Sequence, residues 1–269
     1  QVKTFFSKPY NILLVLFLIV LTYLVVFPLF SIVKDTFIVH SAEKSRVHQA
    51  VGTWTAYHWN RTFASVYSKS LLYEPLAHSL VCSISACIVA ILIGGGFAWL
   101  VTRSDLRWKK VLTKLFIFPY IMPSWTLALA WKNFFKNAAV GGATGIFTAL
   151  TGIATPNWFA YGPFPIILVT GLHYAPFAYI LIGGILRNMD ANLEEAAVIL
   201  KTKRLRMFTR ITIPMVMPAV LSTVILVFSS AMSSFAVPQF LGLPVRYYVL
   251  TTELYAALQG TNPGVGYIL

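Results

Sequence analysis

Residues 192–214 read NLEEAAVILKTKRLRMFTRITIP and form a polar segment between two long apolar runs. The pattern predicts a short helix whose first turn carries Glu194 and Glu195, where carboxylates suit the positive end of the helix dipole. Asn192, followed by Glu195 three residues later, resembles a capping box. Cations follow towards the other end of the helix, at Lys201, Lys203, Arg204 and Arg206.

The apolar residues of this segment recur at helical spacing and form one narrow face, made of Leu193, Ala196, Ala197 and Leu200. A short helix with small residues on one face fits into a groove of another protein. A plain basic loop that follows the rules of membrane topology is the alternative, and the residues alone leave both interpretations open.

The composition indicates a membrane protein. Of the 269 residues, 58% are hydrophobic and only 11% are charged, which predicts several spans of a bilayer. The net charge of +13 sits in short loops between apolar runs, so no nucleic-acid partner is expected. Cys82 and Cys87 lie on different faces of one apolar run, where we expect them to pack without forming a disulfide or a metal site.

Five membrane spans are predicted from the apolar runs. Gly94, Gly95 and Gly96 end the second span and allow close contact with another helix, with a hinge as the alternative. Pro119 and Pro123 should kink the third span and free backbone carbonyls that neighbouring groups must satisfy. The predicted spans are residues 11–33, 76–101, 111–131, 163–186 and 214–235.

The connecting segments differ in character. SAEKSRVHQ (41–49) is predicted to be solvated, and WTAYHWNRTF (54–63) suits an interfacial aromatic belt or, alternatively, a ligand-binding role. Residues 132–162 predict a loop with one short helix. Residues 238–244 predict a turn, 245–258 a short helix beginning with Tyr247 and Tyr248, and 264–269 the first turn of a truncated sixth span.

Polar side chains within the spans are the candidates for a substrate path. His173 is the ionisable residue well inside a span, and such a residue is a functional-site hypothesis by default. The bland alternative, which we favour, is a neutral imidazole bonded to a neighbouring helix. Ser229, Ser230, Ser233 and Ser234 form a stripe whose hydroxyls bond to their own helix or face a pore, so we take His173, Ser230 and Ser233 as the candidate path residues.

Basic residues set the predicted orientation. Thirteen of the 21 Lys and Arg residues fall in the N-terminus and the two short loops around residues 103–114 and 187–210, which predicts that these parts and the N-terminus are cytoplasmic. The chain has no phosphate-binding glycine loop, no carboxylate pair for acid–base work and no metal-ligand cluster. We therefore expect no enzyme activity and no cofactor, with energy supplied by a partner or an ion gradient.

Residues 192–214 resemble the Glu-Ala-Ala loop of binding-protein-dependent ABC importer permeases. Glu195-Ala196-Ala197 stands at the family distance from Ile211-Thr212-Ile213-Pro214, with Lys201 at the family's Gly position and Ile213 in place of Leu. The resemblance implies a coupling helix that docks on a separate cytoplasmic ATPase, with Leu205 and Phe208 packing its connection to span five. The ATPase-coupling residues it implies are Glu194, Glu195, Ala196, Ala197, Leu200, Lys201, Arg204 and Pro214.

The resemblance extends through GLHYAPF (171–177), SSFAVPQFLG (233–242) and VLTTELYAALQG (249–260). These stretches are most similar to the N-terminal half of ferric-iron-type permeases with two fused halves. The implied fold is the all-α, polytopic type I importer permease fold, with five visible transmembrane helices and a truncated sixth, in a bacterial plasma membrane. Implied partners are two cytoplasmic ATP-binding subunits, an extracytoplasmic solute-binding protein and a second permease half, fused or separate.

Substrate and domain organisation follow as expectations. The resemblance points to ferric iron, with thiamine, polyamines or phosphonates as alternatives. An ion-gradient-driven secondary transporter would need an intramembrane acid or unwound helices, and the acidic residues here lie in loops or at helix ends. A membrane scaffold without transport also stays open. We expect residues 1–75 to form a first helix and external segment, and residues 76–269 the permease core with the coupling helix at 190–213.

Overall fold

The computed structural model describes residues 9–189, 199 and 203–269, apart from the side chain of Arg204. Within these residues the regular structure is helical, and β pairing is limited to an isolated antiparallel bridge between Ile38 and Trp54. The all-α expectation is confirmed. Half of the predicted coupling helix at 190–213, including Glu194, Glu195, Ala196, Ala197, Leu200 and Lys201, lies outside the described residues.

Four helical stretches are long and apolar enough to cross a membrane: Pro9–Asp35, Lys69–Arg103, Asn157–Asn188 and Leu205–Met232. They agree with the predicted spans one, two, four and five. The predicted third span is instead a pair of helices, Lys109–Ile121 and Ser124–Phe135, bent by 97° at the break between them. The described part of the chain thus holds four such stretches, or five if the bent pair is one span.

We number the α-helices in chain order. The first eight are α1 (Pro9–Asp35), α2 (Lys44–Val47), α3 (Tyr57–Phe63), α4 (Glu74–Arg103), α5 (Lys109–Ile121), α6 (Ser124–Phe135), α7 (Ala138–Gly141) and α8 (Ile146–Thr151). The others are α9 (Asn157–Ala160), α10 (Pro163–Asn188), α11 (Arg204–Met207), α12 (Ile213–Met232), α13 (Ala236–Leu241), α14 (Leu250–Gln259) and α15 (Pro263–Ile268). Single π-helical turns at Lys69–Tyr73 and Phe208–Thr212 run directly into α4 and α12.

The chain divides into two compact units. One unit is Glu74–Thr252, and the other combines residues 9–73 with Glu253–Leu269. We describe each by its own contacts.

In the unit Glu74–Thr252, the central contact is the long packing of α10 on α4. A Cβ atom on Gly94 would lie 2.1 Å from the carbonyl oxygen of Ala175, and one on Gly171 would lie 2.6 Å from a methyl carbon of Val89. Close backbone approach through small residues is how membrane helices gain packing contacts. The predicted contact role is therefore confirmed for Gly94, whereas a Cβ on Gly96 would meet nothing within 4 Å.

Buried side chains around this helix pair are mostly small or β-branched. Cys82 packs with α6, α10 and α13, and Cys87 packs with Ala90 of α4 and Val227 of α12. Both thiols are free and buried, as expected from their positions on different faces. A third cluster joins the other end of α4 and α10 to the start of α12, through Ala98, Tyr179, Ile182, Leu186, Val216 and Ala219.

The unit of residues 9–73 and Glu253–Leu269 is held by polar and aromatic contacts. Glu43 and His58 are fully buried with a carboxylate oxygen 3.4 Å from Nε2, and the Gly264 amide donates to Glu43 over 3.1 Å. Phe37, Trp59 and Phe63 stack in sequence. The prediction that 41–49 is solvated is wrong for Glu43, because the Gly264 amide and the imidazole meet its carboxylate inside the unit.

Three other local predictions were wrong. Residues 238–244 form α13 and a 3₁₀ turn at Leu243–Val245, because Pro238 falls in the first turn of α13, where a missing N–H costs nothing. The next helix begins at Leu250 instead of 245, since Arg246 adopts a left-handed backbone conformation. Residues 132–162 contain three short helices, α7, α8 and α9, where we expected one.

Candidate functional site

The break between α5 and α6 exposes a backbone carbonyl that the helix cannot satisfy. In a continuous helix the carbonyl of residue 119 would accept from the N–H of residue 123. Residue 123 is a proline and has no N–H. The chain ends α5 at Ile121, turns through 97° and begins α6 at Ser124 with Pro123 as its N-cap.

His173 of α10 satisfies that carbonyl. Its Nδ1–H donates to the oxygen of Pro119 over 3.0 Å, and the side chain is only 8% exposed. The bond requires the proton on Nδ1, because a carbonyl only accepts. This confirms the expectation of an imidazole bonded to a neighbouring helix, and it confirms that the prolines free a carbonyl that a neighbour must satisfy.

Further side-chain contacts join α5 to α10. The ring of Tyr120 stacks on Phe177 with centroids 5.7 Å apart, and the hydroxyls of Thr113 and Tyr179 are 3.3 Å apart. Residues on both sides of the bend line an open apolar cavity of about 650 Å³. Its walls come from α4, α5, α6 and α10, and include Phe97, Leu115, Phe116, Leu127, Trp131 and Leu172.

The serine stripe of α12 lies differently from His173. Ser230 and Ser233 are exposed, and the Ser233 hydroxyl donates to the carbonyl of Ser229 over 3.0 Å. Tyr174, next to His173, hydrogen-bonds to Ser230 and so links α10 to α12. Tyr174 therefore lies between two of the candidate path residues, His173 and Ser230, while the imidazole of His173 is hydrogen-bonded at the bend.

The stretch Arg204–Thr212, made of α11 and one π-helical turn, leads from the predicted coupling segment to α12, and we call it the arm. It continues into α12 without a break, and Pro214 stands in the first turn of α12. Single π turns inside helices are frequent at functional sites. Thr212 is buried, and the ring of Phe208 meets Trp99 of α4 edge-on with centroids 6.4 Å apart.

Apolar side chains at the start of the arm and before it are exposed. Leu205 is 75% exposed and Ile199, at the other described point of the segment, is 80% exposed. The prediction that Phe208 packs the connection to α12 is confirmed, but the prediction for Leu205 is wrong. The π turn directs Phe208 towards α4, and Leu205 lies one turn further out, beyond the reach of that contact. The side chain of Arg204 lies outside the described residues.

The sequence did not predict the contacts of His78 with Tyr247 and Tyr248. His78 of α4 stacks on Tyr247 with centroids 4.0 Å apart, and its Nδ1–H donates to the carbonyl of Tyr248 over 2.8 Å. The Leu250 amide donates to Ser79 over 2.7 Å. Burial, with a further contribution from the thiol of Cys82, raises the pKa of Tyr247 well above its usual range. These contacts fix the start of α14, and nothing in the local sequence signals them because the partners are some 170 residues apart.

Comparison with known protein families gives a match over most of the chain. The family described as the binding-protein-dependent transport system inner membrane component matches residues 86–269. The chain belongs to this family. The matched range includes the bend between α5 and α6, the arm and the whole of α10.

Relatives of known assignment differ in substrate. The chain is 26% identical over 198 residues to a putative ferric transport system permease of Haemophilus influenzae, covering 73% of this chain and 30% of the relative. It is 29% identical over 174 residues to a spermidine/putrescine transport system permease of Escherichia coli, covering 64% of this chain and 62% of the relative. The chain therefore spans less than two thirds of the length of these relatives.

A solved structure shares the fold. It is described as a bacterial ABC transporter involved in the import of the acidic polysaccharide alginate, and it aligns with a TM-score of 0.69 at 14% identity. The alignment covers 99% of this chain and 90% of that chain. The all-α importer permease fold expected from the sequence is confirmed.

Proposed function

We propose that the chain is the membrane-spanning permease subunit of an ABC importer, which forms the substrate path and couples to a separate ATPase. The family match over residues 86–269 is the observation that carries this proposal. Ferric, polyamine and oligosaccharide transport permeases are among its relatives. The chain itself performs no chemistry, and ATP hydrolysis takes place on the partner.

The coupling element of the proposal is the segment from Glu194 to Pro214. Glu195, Ala196 and Ala197 contact the ATPase, and Leu200 serves as an apolar anchor, with Glu194, Lys201 and Arg204 beside them. Two observations on described residues support this. Ile199 and Leu205, both inside this segment, are exposed, and exposed apolar side chains in a docking element suit a partner surface.

The arm transmits displacement from the ATPase to the spans. It enters α12 without a loop, and Phe208 and Thr212 are seated beside Trp99. A push on the coupling helix therefore moves α12 relative to α4 instead of being absorbed by a flexible linker. A cavity of about 450 Å³ between α4, α10 and the arm leaves room for that movement.

The remaining partners and the topology belong to the same proposal. Two ATP-binding subunits, an extracytoplasmic solute-binding protein and a second permease half, fused or separate, complete the importer in the bacterial inner membrane. The N-terminus is cytoplasmic, residues 1–75 form the first helix with an external segment, and residues 76–269 form the permease core. Ser230 and Ser233 line the path, with His173 holding the bend beside it.

The coupling role is tested by co-purification. Full-length protein in detergent should retain an ATPase subunit, and Glu195→Lys should release it while leaving the permease in the membrane. Asp105→Lys makes the same charge change at an exposed site in the loop between α4 and α5, and should keep the ATPase bound. Retention of the ATPase by the Glu195 variant would remove that residue from the interface, and absence of any ATPase from the parent protein would overturn the proposal.

For the substrate we propose ferric iron. The ferric relatives from Haemophilus influenzae and Actinobacillus pleuropneumoniae, at 26% and 25% identity, support this choice. Cells that carry the complete system should accumulate radiolabelled ferric iron faster than cells that carry the Glu195→Lys variant. Equal iron uptake together with Glu195-dependent spermidine uptake would replace iron with a polyamine, the substrate class of the Escherichia coli relative.

A further inference from the structure

Helix α3 (Tyr57–Phe63), between the first two candidate spans, has two distinct polar faces. His58 and Thr62, four residues apart, are buried on one face. Tyr57, Asn60 and Arg61 follow the i, i+3, i+4 spacing of another face and line a cavity of about 480 Å³. Ala56, Ser65 and Tyr67 complete its walls.

The guanidinium of Arg61 is held in a fixed position in this cavity. Its Nη1–H donates to the hydroxyl of Tyr57 over 2.7 Å. Its central carbon lies 4.9 Å from the ring centroid of Tyr67 and 5.8 Å from that of Tyr57. Such cation–π contacts fix the planar group, and the side-chain entropy that a ligand contact would cost is already lost.

The positive charge in the cavity is not matched by a carboxylate. Within the described part of the chain, no carboxylate forms an ion pair with Arg61, and the buried carboxylate of Glu43 is paired with His58. The Nε of Arg61 is shut off from solvent without a hydrogen-bond partner. Arginine is always protonated, so this is a permanent, immobilised cation beside two hydroxyl-bearing rings and an exposed amide side chain, Asn60.

We propose that this cavity binds a small carboxylate-bearing solute through Arg61. Guanidinium groups recognise carboxylates through charge-assisted hydrogen bonds, and the Asn60 amide and Tyr67 hydroxyl supply further donors. The volume of about 480 Å³ falls in the range of small-molecule sites, which favours a free solute over the acidic side chain of another protein. The site lies outside the arm and the helix bend and goes beyond the proposed transport role.

The test is a calorimetric titration of the full-length protein in detergent with succinate and, separately, with succinamide. Succinamide has the same shape but no charge. Succinate should bind and succinamide should not, and Arg61→Gln should weaken succinate binding at least about tenfold. Lys44→Gln removes an exposed charge from the same unit and should leave the affinity unchanged.

A second variant keeps the test decisive if Arg61→Gln disturbs folding. Asn60→Asp changes an exposed lining residue and places a carboxylate inside the cavity beside Arg61. It should abolish succinate binding while the thermal midpoint stays at the parent value. Unchanged succinate binding by either variant, or equal binding of succinamide, would overturn the proposal. Binding of a glutamate-rich peptide without binding of succinate would overturn the assignment to a free solute.

Discussion

The two units of this chain are stabilised by opposite kinds of contact. In Glu74–Thr252, α4 and α10 approach so closely at Gly94 and Gly171 that no side chain fits between them. In the other unit, a buried carboxylate and a buried imidazole take the central place, at Glu43 and His58. Apolar burial drives little association between helices in lipid, so close backbone packing holds the first unit. In the second, the contact of Glu43 with His58 and the hydrogen bond from the Gly264 amide, a group distant in sequence, hold the structure.

The largest effect is expected from a substitution that breaks the contact between Gly94 and Ala175. Gly94→Leu places a side chain where even a Cβ would lie 2.1 Å from the Ala175 carbonyl oxygen, so α4 and α10 must separate. Forcing atoms into a packed core costs about 1–3 kcal/mol, and a backbone obstacle raises the cost beyond that range. We expect loss of monodisperse protein in size-exclusion chromatography.

Gly96→Leu is the matched control for that prediction. A Cβ on Gly96 meets nothing within 4 Å, so this variant should elute as the parent protein does. Equal loss in both variants would mean that any larger residue in this glycine run is harmful, and the specific contact at Gly94 would lose its support.

The second prediction concerns the buried carboxylate of Glu43, in the unit of residues 9–73 and Glu253–Leu269. Glu43→Ala leaves the buried Gly264 amide without its acceptor and removes the carboxylate beside His58, whose Nε2 keeps only the Ile38 carbonyl at 3.2 Å. A buried donor left unsatisfied costs about 1–3 kcal/mol and the emptied space adds to that cost, so we expect a clear drop in the thermal midpoint. Lys44→Ala, at the exposed neighbouring position, should shift it little. A tolerated Glu43→Ala would show that this unit relies on its aromatic stack instead.

The third prediction concerns a polar contact within Glu74–Thr252, the hydrogen bond from His173 to the Pro119 carbonyl. His173→Phe removes the donor to the Pro119 carbonyl, and an unsatisfied buried carbonyl costs about 1–3 kcal/mol. His173→Asn keeps a donor near the position of Nδ1 and should restore much of the loss. Thermal unfolding in detergent measures both variants. Equal destabilisation by Phe and Asn would separate the effect from the hydrogen bond.

The smallest effect concerns pH. Burial raises the pKa of Glu253 above its ordinary value, so the folded chain holds this proton to a higher pH than the unfolded chain. Stability contributed by this group therefore falls as pH rises from the unfolded pKa through the folded one. Glu253→Gln should match the parent at low pH and become more stable than it above that window.

Thermal midpoints across pH 4 to 8 measure this difference. Asp105→Asn, at an exposed loop position, should show no such trend. A constant offset between Glu253→Gln and the parent at every pH would contradict the assignment of the effect to titration.

The contacts within Glu74–Thr252 were predicted well from the sequence, and those within residues 9–73 and Glu253–Leu269 were predicted poorly. Apolar runs act through the solvent and Pro123 acts through its neighbours in the chain, so their consequences can be read from the residues themselves. For Gly94 the sequence indicated a close helix contact, but it did not identify the partner, Ala175 of α10. His173 was predicted to bond to a neighbouring helix, but its acceptor is defined by the missing N–H of Pro123. The partners of Glu43 and His78 come from segments about 220 and 170 residues away, which no local pattern reveals.

The candidate site divides in the same way. The coupling role drawn from the Glu-Ala-Ala pattern stays a prediction. The contact of Phe208 was predicted correctly, but the exposure of Leu205 was missed. Helical spacing places an apolar residue on a face without saying which face has a partner within the same chain. Leu205 has none among the described residues, and we attribute its exposure to a surface that the ATPase covers.

Photo-crosslinking at that position tests the coupling claim most directly. A photoreactive phenylalanine analogue replaces Leu205, which is 75% exposed, or Val66, which is 94% exposed in the other unit. In native membranes, the Leu205 position should yield an adduct with the ATP-binding subunit, and the Val66 position should yield none. Absence of that adduct at Leu205, or the same adduct from both positions, would contradict the account of this arm as the link to the ATPase.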